Sequence, residues 1–181
     1  MEELDQHVTK IVASERQLRE AIRLFFEQRD SVPIFTLCAA AHQVLQDICK
    51  EKDINGHMGT EFISEQYKKP WVCAIKGAAA FFKHADRDPE GVKIFNSQLT
   101  HFVIMDSISM YHALIGDIFI ELEVFKTWFF MRYPGMLKIN SDDSGSDTND
   151  FVEVIRSLDV TYKDYHIFRK LISEKSPWQV S

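Results

Sequence analysis

Apolar side chains recur every three to four residues through most of this chain, and few helix breakers interrupt them. The first such run covers residues 3–27, with Leu4, Val8, Ile11, Leu18, Ile22 and Phe25 on one helical face. Only 7 glycines and 5 prolines occur among 181 residues, and no segment shows a convincing alternation of apolar and polar residues. The pattern predicts an all-α protein, a single bundle of six or seven helices.

Capping and turn residues divide this pattern into separate helices. After the first helix we expect helices at residues 32–50, 60–67 and 71–84, a fourth from Ser97 to at least Leu114, and a fifth ending at Arg132. Pro70 is expected to begin the third long helix. Gly116 is expected to bend or break the apolar stretch between the fourth and fifth. Helical spacing returns after residue 150, for one or two final helices.

Residues 140–150, NSDDSGSDTND, contain no apolar side chain. Such a segment cannot bury surface against a core, and its small, acidic composition is typical of a mobile linker. We therefore expect one domain over residues 1–181, with a flexible acidic linker at 140–150 before the C-terminal helices.

Charge and cysteine content narrow the classes of function. The chain has 27 acidic and 21 basic residues, a net charge of −6, whereas sequence-blind nucleic-acid binding needs a basic surface. The longest uncharged stretch of the most apolar region is shorter than the ~20 residues that span a bilayer. The N-terminus, MEELDQHVTK, has no apolar stretch of a secretory signal, and the 3 cysteines show no disulfide spacing. We expect a cytoplasmic protein without a membrane or nucleic-acid partner.

The densest group of ionisable side chains is KHADRD at residues 83–88, directly before a proline. His84 beside Asp86 has the pairing of an oriented base. Lys83 and Arg87 have the charge to hold a phosphate or carboxylate. The alternative is a solvated helix end, with the cations favoured by the helix dipole and Asp88 capping before the proline. Both interpretations stay open for this segment.

Two histidines in the apolar fourth helix form a secondary candidate. His101 and His112 are eleven residues apart, which places them within ~20° of each other on one helical face. Asp106, Asp117 and Glu121 form a second polar line. One interpretation of the two lines is a polar channel or a metal pocket in the centre of the bundle. The other is that one line faces solvent while the second meets Lys or Arg from a neighbouring helix.

Metal and nucleophile motifs are weak. Cys38 and His42 stand four residues apart on the second helix, followed by Cys49, but no CxxC, HExxH or Glu-x-x-His pattern occurs. No glycine-rich phosphate loop and no G-x-S-x-G is present. We therefore predict no metal and no cofactor. The aromatic residues near Arg132 are interpreted as core rather than as a base-stacking surface.

Three stretches resemble a group of uncharacterised bacterial all-helical proteins: residues 21–26 (AIRLFF), 36–45 (TLCAAAHQVL) and 81–89 (FFKHADRDP). The two-helix start is also similar to HEPN domains, helical bundles of toxin, antitoxin and RNA-processing systems. The RNase activity of that family depends on an arginine followed four to six residues later by a histidine, and no arginine here has a histidine at that distance. The resemblance implies a member that lacks this chemistry.

Two classes of function follow. The first is a non-enzymatic regulatory or protein-interaction bundle, whose partner is a second copy of the chain or another protein. The second is a small-molecule or phosphate-directed site, with enzymatic activity undecided. Its candidate binding residues are His42, Lys83, His84, Asp86, Arg87 and Asp88, with His101 and His112 as secondary candidates.

Overall fold

The structure is a computed structural model that describes residues 5–54, 65–86, 88–117, 119–136 and 160–175. These residues form six α-helices and a single 3₁₀ turn, without a strand: α1 (Lys10–Phe26), α2 (Ser31–Glu51), α3 (Glu65–Lys83), α4 (Leu99–Ile115), α5 (Ile120–Arg132), the turn Pro134–Met136, and α6 (Tyr165–Lys175). The all-α prediction is confirmed. The predicted linker at 140–150 lies outside the described residues.

Side-chain caps fix where the first two helices begin. The Thr9 hydroxyl accepts a hydrogen bond from the Val12 amide at 3.2 Å, so α1 begins at Lys10, later than the periodicity suggested. The Asp30 carboxylate accepts from the Val32 amide at 2.7 Å and starts α2 where the sequence predicted. Each cap satisfies an amide that has no partner within its helix.

The expected helix boundary at Pro70 is wrong. Helix α3 runs without interruption from Glu65 through Pro70 to Lys83. A proline inside a helix removes one helical hydrogen bond but keeps a helical φ. A long helix can accommodate it, because its other hydrogen bonds and its packing offset that loss. The predicted break at Gly116 is present: this residue has a φ of 89°, which ends α4 after Ile115.

Five helices, α1, α2, α4, α5 and α6, pack around most of the core. Helix α2 packs against α1 and α4, while α5 lies against α1 and α4, and α6 covers α1 and α5. The largest fully buried side chains include Trp128, Phe26, Phe35, Phe125 and Phe129. The Trp128 indole donates to the Tyr162 carbonyl at 2.8 Å, which ties the approach to α6 onto α5. Helix α3 packs on α2, at the edge of this core.

Helix α2 is long and apolar enough to cross a membrane by length and composition, with 21 residues and a mean hydropathy of 1.2. Its packing explains that composition, because α2 supplies buried residues to the interface with both α1 and α4. In the described part of the chain α2 therefore acts as the central core helix, a position in which long apolar helices are common.

Candidate functional site

A cleft of about 660 Å³ opens between the second half of α3 and the chain that follows it. Its lining residues come from both sides: Gly77, Ala80, Phe81, His84, Asp86, Asp88 and Lys93. The cleft combines one aromatic ring with carboxylates, an imidazole and an ammonium group. Three of the sequence candidates, His84, Asp86 and Asp88, therefore share one surface feature.

A tight turn builds the outer wall of the cleft. Helix α3 ends at Lys83, and the last helical bond runs from the His84 amide to the Ala80 carbonyl at 3.0 Å. The sequence Asp88-Pro-Glu-Gly91 then turns, with the Gly91 amide donating to the Asp88 carbonyl at 2.8 Å. Asp, Pro and Gly occupy the positions that a type I turn favours. The chain therefore reverses and runs back alongside α3.

Glycine is required at the end of this turn. A Cβ atom at Gly91 would lie 2.7 Å from the Asp88 carboxylate and 2.9 Å from the Asp88 carbonyl oxygen. On the returning chain, the Lys93 ammonium lies 5.9 Å from the centre of the Phe81 ring, a cation–π distance. It also lies 3.8 Å from the position of a Cβ at Gly77, which is an ordinary van der Waals contact.

Beyond the turn, side chains alternate between the protein and solvent along residues 92–95, which we call the 92–95 segment. Lys93 lines the cleft, and Phe95 packs against Phe35 and Phe82 with ring centres 5.0 and 5.2 Å away. Val92 is 95% exposed and Ile94 is 100% exposed. A period of two is that of an extended backbone. The segment therefore presents two branched apolar side chains to solvent on one face.

The backbone of the 92–95 segment is also open. Within the described part of the chain, none of its amides or carbonyls takes part in a backbone hydrogen bond. The neighbouring bonds end at the Gly91 amide on one side and begin again at the Asn96 carbonyl on the other. The segment is anchored by side chains, by Phe95 in the core and Lys93 at the cleft, while its polar backbone is left to solvent.

The two basic candidates of the KHADRD segment are not among the described residues that line the cleft. Lys83 is the exposed last residue of α3 and is not part of the cleft lining, and Arg87 lies outside the described residues. Sequence analysis missed Lys93 and Phe81. The Asp-Pro-Glu-Gly turn was the signal that could have identified them, since it returns residue 93 to the face of α3 that carries residue 81.

His42 lies inside the bundle. Its Nε2 atom is 2.8 Å from the Asp106 carboxylate, and both side chains are 8% exposed. This bond joins α2 to α4, the two central helices. A buried carboxylate is costly without a partner, so the pair explains how Asp106 is tolerated in an apolar helix. The structure thus places His42 in the helix interface rather than in the cleft.

The two buried cysteines have no reactive setting. Burial raises the pKa of the Cys38 thiol far above its usual range, and its sulfur donates to the Phe35 carbonyl at 3.3 Å. Burial, and then the nearby Asp106 charge, raise the pKa of Cys49. A thiol that stays protonated is a poor nucleophile and metal ligand. Across the described ranges, no group of three or more His, Cys, Asp or Glu residues could hold a metal ion.

His101 and His112 do not form one polar pocket. The His101 ring contacts Phe25 and Trp128 edge-on, with centroids 5.3 and 4.9 Å apart, and its Nδ1 shares a 2.8 Å hydrogen bond with the Tyr133 hydroxyl. Burial, with the Arg132 charge as a smaller cause, lowers the pKa of His101 to about 4. His101 is therefore neutral at physiological pH, while His112 is exposed.

Glu121, from the second predicted polar line, is fully buried and meets cations from α1. Its Oε1 atom accepts from Arg23 at 2.7 Å and from two nitrogens of Arg19 at 3.0 and 3.2 Å. The Arg19 guanidinium also lies 4.6 Å from the Phe119 ring centre and contacts Glu15 at 3.3 Å. These groups form an internal ionic network between α1 and α5. Its charges are already engaged within the protein.

Comparison with known proteins found no matching family, no similar curated protein and no similar solved structure. The resemblances to a bacterial helical group and to HEPN domains therefore stay predictions. The functional argument rests on the geometry of the chain itself.

Proposed function

We propose that this chain is a non-enzymatic protein-interaction bundle of the cytoplasm, and that its contact surface is the 92–95 segment with the adjoining cleft. One observation carries the proposal: Val92 and Ile94 are 95% and 100% exposed on a segment that Phe95 holds against the core. Single exposed apolar residues are ordinary, but two neighbouring ones on an anchored segment form a patch that a partner can bury.

Burial of these side chains supplies a driving force for association. Covering a valine or isoleucine side chain that was exposed contributes about 1.5–3 kcal/mol. The two residues give their full side-chain area, because almost none of it is covered within the chain. Among the described residues, the remaining exposed large apolar side chains are less exposed, with Ile115 at 46% and Val8 at 45%. Within that part of the chain, the 92–95 segment is therefore the apolar surface with most to gain from a partner.

The placement of the titratable residues supports an interaction protein over an enzyme. The buried candidates, His42 and His101, are used in contacts between helices. Those in the cleft, including His84 and Asp86, are exposed to water. Catalytic groups gain strength from water-excluded surroundings, which this open cleft does not provide. The three cysteines are free thiols, which supports a reducing compartment.

Quantitative co-purification from a lysate of the source organism tests this proposal. The test variant is Val92→Ser with Ile94→Ser, and Ile115→Ser is the matched control, because residue 115 is an exposed apolar residue at the end of α4. We expect the same protein partner with the wild type and with the control, and at least a tenfold loss with the double variant. Equal capture by all three proteins, or no specific partner for the wild type, would overturn the proposal.

A small-molecule site in the cleft is a second candidate, and the cleft volume favours it. The value of about 660 Å³ lies within the range of roughly 300–1,000 Å³ that small-ligand pockets occupy. Among the described lining residues, two carboxylates, Asp86 and Asp88, stand against one ammonium, Lys93, and this balance favours an amine or other cation over a phosphate. Native mass spectrometry of the gently purified protein tests this candidate. A retained small mass that is lost in Asp86→Asn supports it, and a bare protein mass counts against it.

A further inference from the structure

A second surface feature lies at the end of α5 and includes no residue of the 92–95 segment or of the cleft. We propose that Arg132 binds an aromatic carboxylate: its guanidinium pairs with the carboxylate, and the rings of Tyr133 and Tyr162 pack against the aromatic part of the ligand. Three features lead to this ligand: the two rings beside the cation, the unused hydrogen-bond donors of Arg132, and the local positive charge. This site and the proposed interaction surface are separate, and either can exist without the other.

Two tyrosine rings flank the Arg132 guanidinium. Its central carbon lies over both rings, 4.8 Å from the centre of Tyr162 and 5.0 Å from the centre of Tyr133, which are cation–π distances. Arg132 is the last residue of α5, Tyr133 follows it directly, and Tyr162 comes from the chain that leads into α6. All three side chains are half-buried, so each keeps part of its surface open to solvent.

Contacts with the bundle position both tyrosines. The Tyr133 hydroxyl shares its 2.8 Å hydrogen bond with His101, and the Tyr133 ring packs on Phe129 with ring centres 4.9 Å apart. The Tyr162 carbonyl accepts from the Trp128 indole at 2.8 Å. Side chains that are held in place before a ligand arrives lose little freedom when it binds, and this favours binding.

The hydrogen-bond donors of Arg132 are available to a ligand. A guanidinium carries five N–H donors, which match a carboxylate in a bidentate pair. Among the residues that the structure describes, none accepts a hydrogen bond from Arg132 or forms an ion pair with it. Arg23, which is also half-buried, shows the usual arrangement, since it donates to the Glu121 carboxylate at 2.7 Å. Arg132 has two rings where Arg23 has a carboxylate.

The charge around Arg132 favours an anion. Burial raises the pKa of Tyr133, and the positive charge of Arg132 opposes that rise. Lys163 brings a second cation to the same place, 6.0 Å from the centre of the Tyr162 ring. The neighbouring carboxylate, that of Asp164, is already engaged by the turn before α6, in hydrogen bonds of 2.7 and 2.8 Å. An incoming carboxylate therefore meets unpaired positive charge here.

The donors and the rings together define the class of ligand. A carboxylate accepts two charge-assisted hydrogen bonds from one guanidinium, whereas a neutral amide offers a single uncharged acceptor. An aromatic ring attached to that carboxylate gains contacts with the tyrosine rings. Acetate can use only the guanidinium, and benzamide can use mainly the rings. Benzoate combines both contacts and should bind more tightly than either.

The test is an NMR titration of the full-length, ¹⁵N-labelled protein with benzoate, acetate and benzamide, at constant pH and ionic strength. We expect benzoate to shift the side-chain Nε–Hε signal of Arg132 and the backbone amides of Tyr133 and Tyr162. It should bind about five- to tenfold more tightly than acetate or benzamide. No shift at these three residues, or equal binding of benzoate and either control, would overturn the proposal.

Variants separate the two contacts. Arg132→Lys keeps the charge and most of the stem but loses the bidentate fork, so benzoate binding should weaken about fivefold in a protein that remains folded. Arg169→Lys makes the same change at an exposed arginine of α6 and should leave binding unchanged. Tyr162→Leu removes one ring and should reduce the preference for benzoate over acetate. Unchanged benzoate binding in Arg132→Lys, or an equal loss in Arg169→Lys, would show that the site is not at Arg132.

Discussion

Two regions of this molecule hold the same residue types in different surroundings. In the interior, His42 is bonded to Asp106 at 2.8 Å, with both side chains 8% exposed. At the cleft, His84 lies on one surface with Asp86, and both are exposed to water. The interior pair joins two helices and is covered by them. The cleft residues face a volume of about 660 Å³ that something else can occupy.

The difference shows that burial, rather than residue type, separates the structural groups of the interior from the solvated groups of the cleft. A buried polar group costs free energy unless a partner satisfies it, so the interior groups stabilise the fold only as pairs. An exposed polar group is solvated at no cost to folding, and its removal leaves the fold nearly unchanged. Mutations in the interior should therefore lower the free energy of unfolding much more than mutations at the cleft. The largest loss is expected for the most deeply buried charge.

The largest expected effect follows from removing the buried charge of Glu121. Glu121→Gln leaves Arg19 and Arg23 without their shared carboxylate, and we expect a loss of about 3–5 kcal/mol in the free energy of unfolding. Urea unfolding followed by circular dichroism measures this loss. Glu174→Gln is the control, since its ion pair with Lys170 is exposed and contributes about 0–1 kcal/mol. Equal effects of the two variants would contradict an internal ionic network.

The next effect compares the two histidines directly. His42→Ala removes the partner of a buried carboxylate, and we expect a loss of about 2–3 kcal/mol. His84→Ala removes an exposed side chain beyond the end of α3 and should change stability by less than about 0.5 kcal/mol. The same urea titration compares the two variants. A large loss for His84→Ala would make residue 84 structural and would remove it from the candidate site.

A pH-dependent effect tests the interior further through His101. The pKa of His101 is about 4 in the folded protein, below its ordinary value of 6.5, because burial disfavours the charged ring. The unfolded chain therefore binds a proton more readily between pH 6.5 and 4, and stability falls as the pH falls through this window. We expect a loss of about 2 kcal/mol, smaller than full burial would give since the ring is partly exposed.

His101→Phe isolates this contribution, because other groups also titrate between pH 6.5 and 4. The free energy of unfolding is measured for both proteins across this range, and the difference between them should shrink toward acid pH by about 2 kcal/mol. A difference that stays constant with pH would show that the ring titrates alike in the folded and unfolded chains. The loss of the bond to Tyr133 affects the variant at every pH and does not change this slope.

The smallest effect on stability is expected at the proposed contact surface. Val92→Ser with Ile94→Ser changes side chains that are 95% and 100% exposed, so the free energy of unfolding should stay within about 0.5 kcal/mol of the wild type. Phe95→Ala is the contrasting variant, because it removes the ring that packs on Phe35 and Phe82. Its loss should be clearly larger, and similar values for both variants would mean that the segment is not anchored.

Helix periodicity was enough to predict the architecture. The all-α class and the break at Gly116 were both visible in the sequence, because they depend on local chemistry. The continuation of α3 through Pro70 was not predictable. The proline destabilises the helix locally, and the tertiary packing that offsets this cost cannot be read from the sequence. Local sequence patterns therefore predicted which segments are helical more reliably than the residues at which each helix begins and ends.

Pairing across the bundle was the part that the sequence could not give. Asp106 and Glu121 were recognisable as polar residues in apolar surroundings that needed partners, but those partners lie 64 and about 100 positions away in the chain. His42 and His84 looked equally suitable for a site, and only their burial separates them. The KHADRD segment identified one side of the cleft from the sequence. The position of Lys93 on the other side could not be predicted without knowing that the turn at Gly91 returns the chain to α3.

The most direct test of the account is to measure partner capture against the free energy of unfolding across one set of variants: Glu121→Gln, His42→Ala, His84→Ala and Val92→Ser with Ile94→Ser, each at a temperature where it is folded. The account predicts that the double variant, among the least destabilised, loses most capture, while Glu121→Gln and His42→Ala keep it. Capture that falls in proportion to stability, with the double variant close to the wild type, would contradict the separation of a structural interior from a binding surface at residues 92–95.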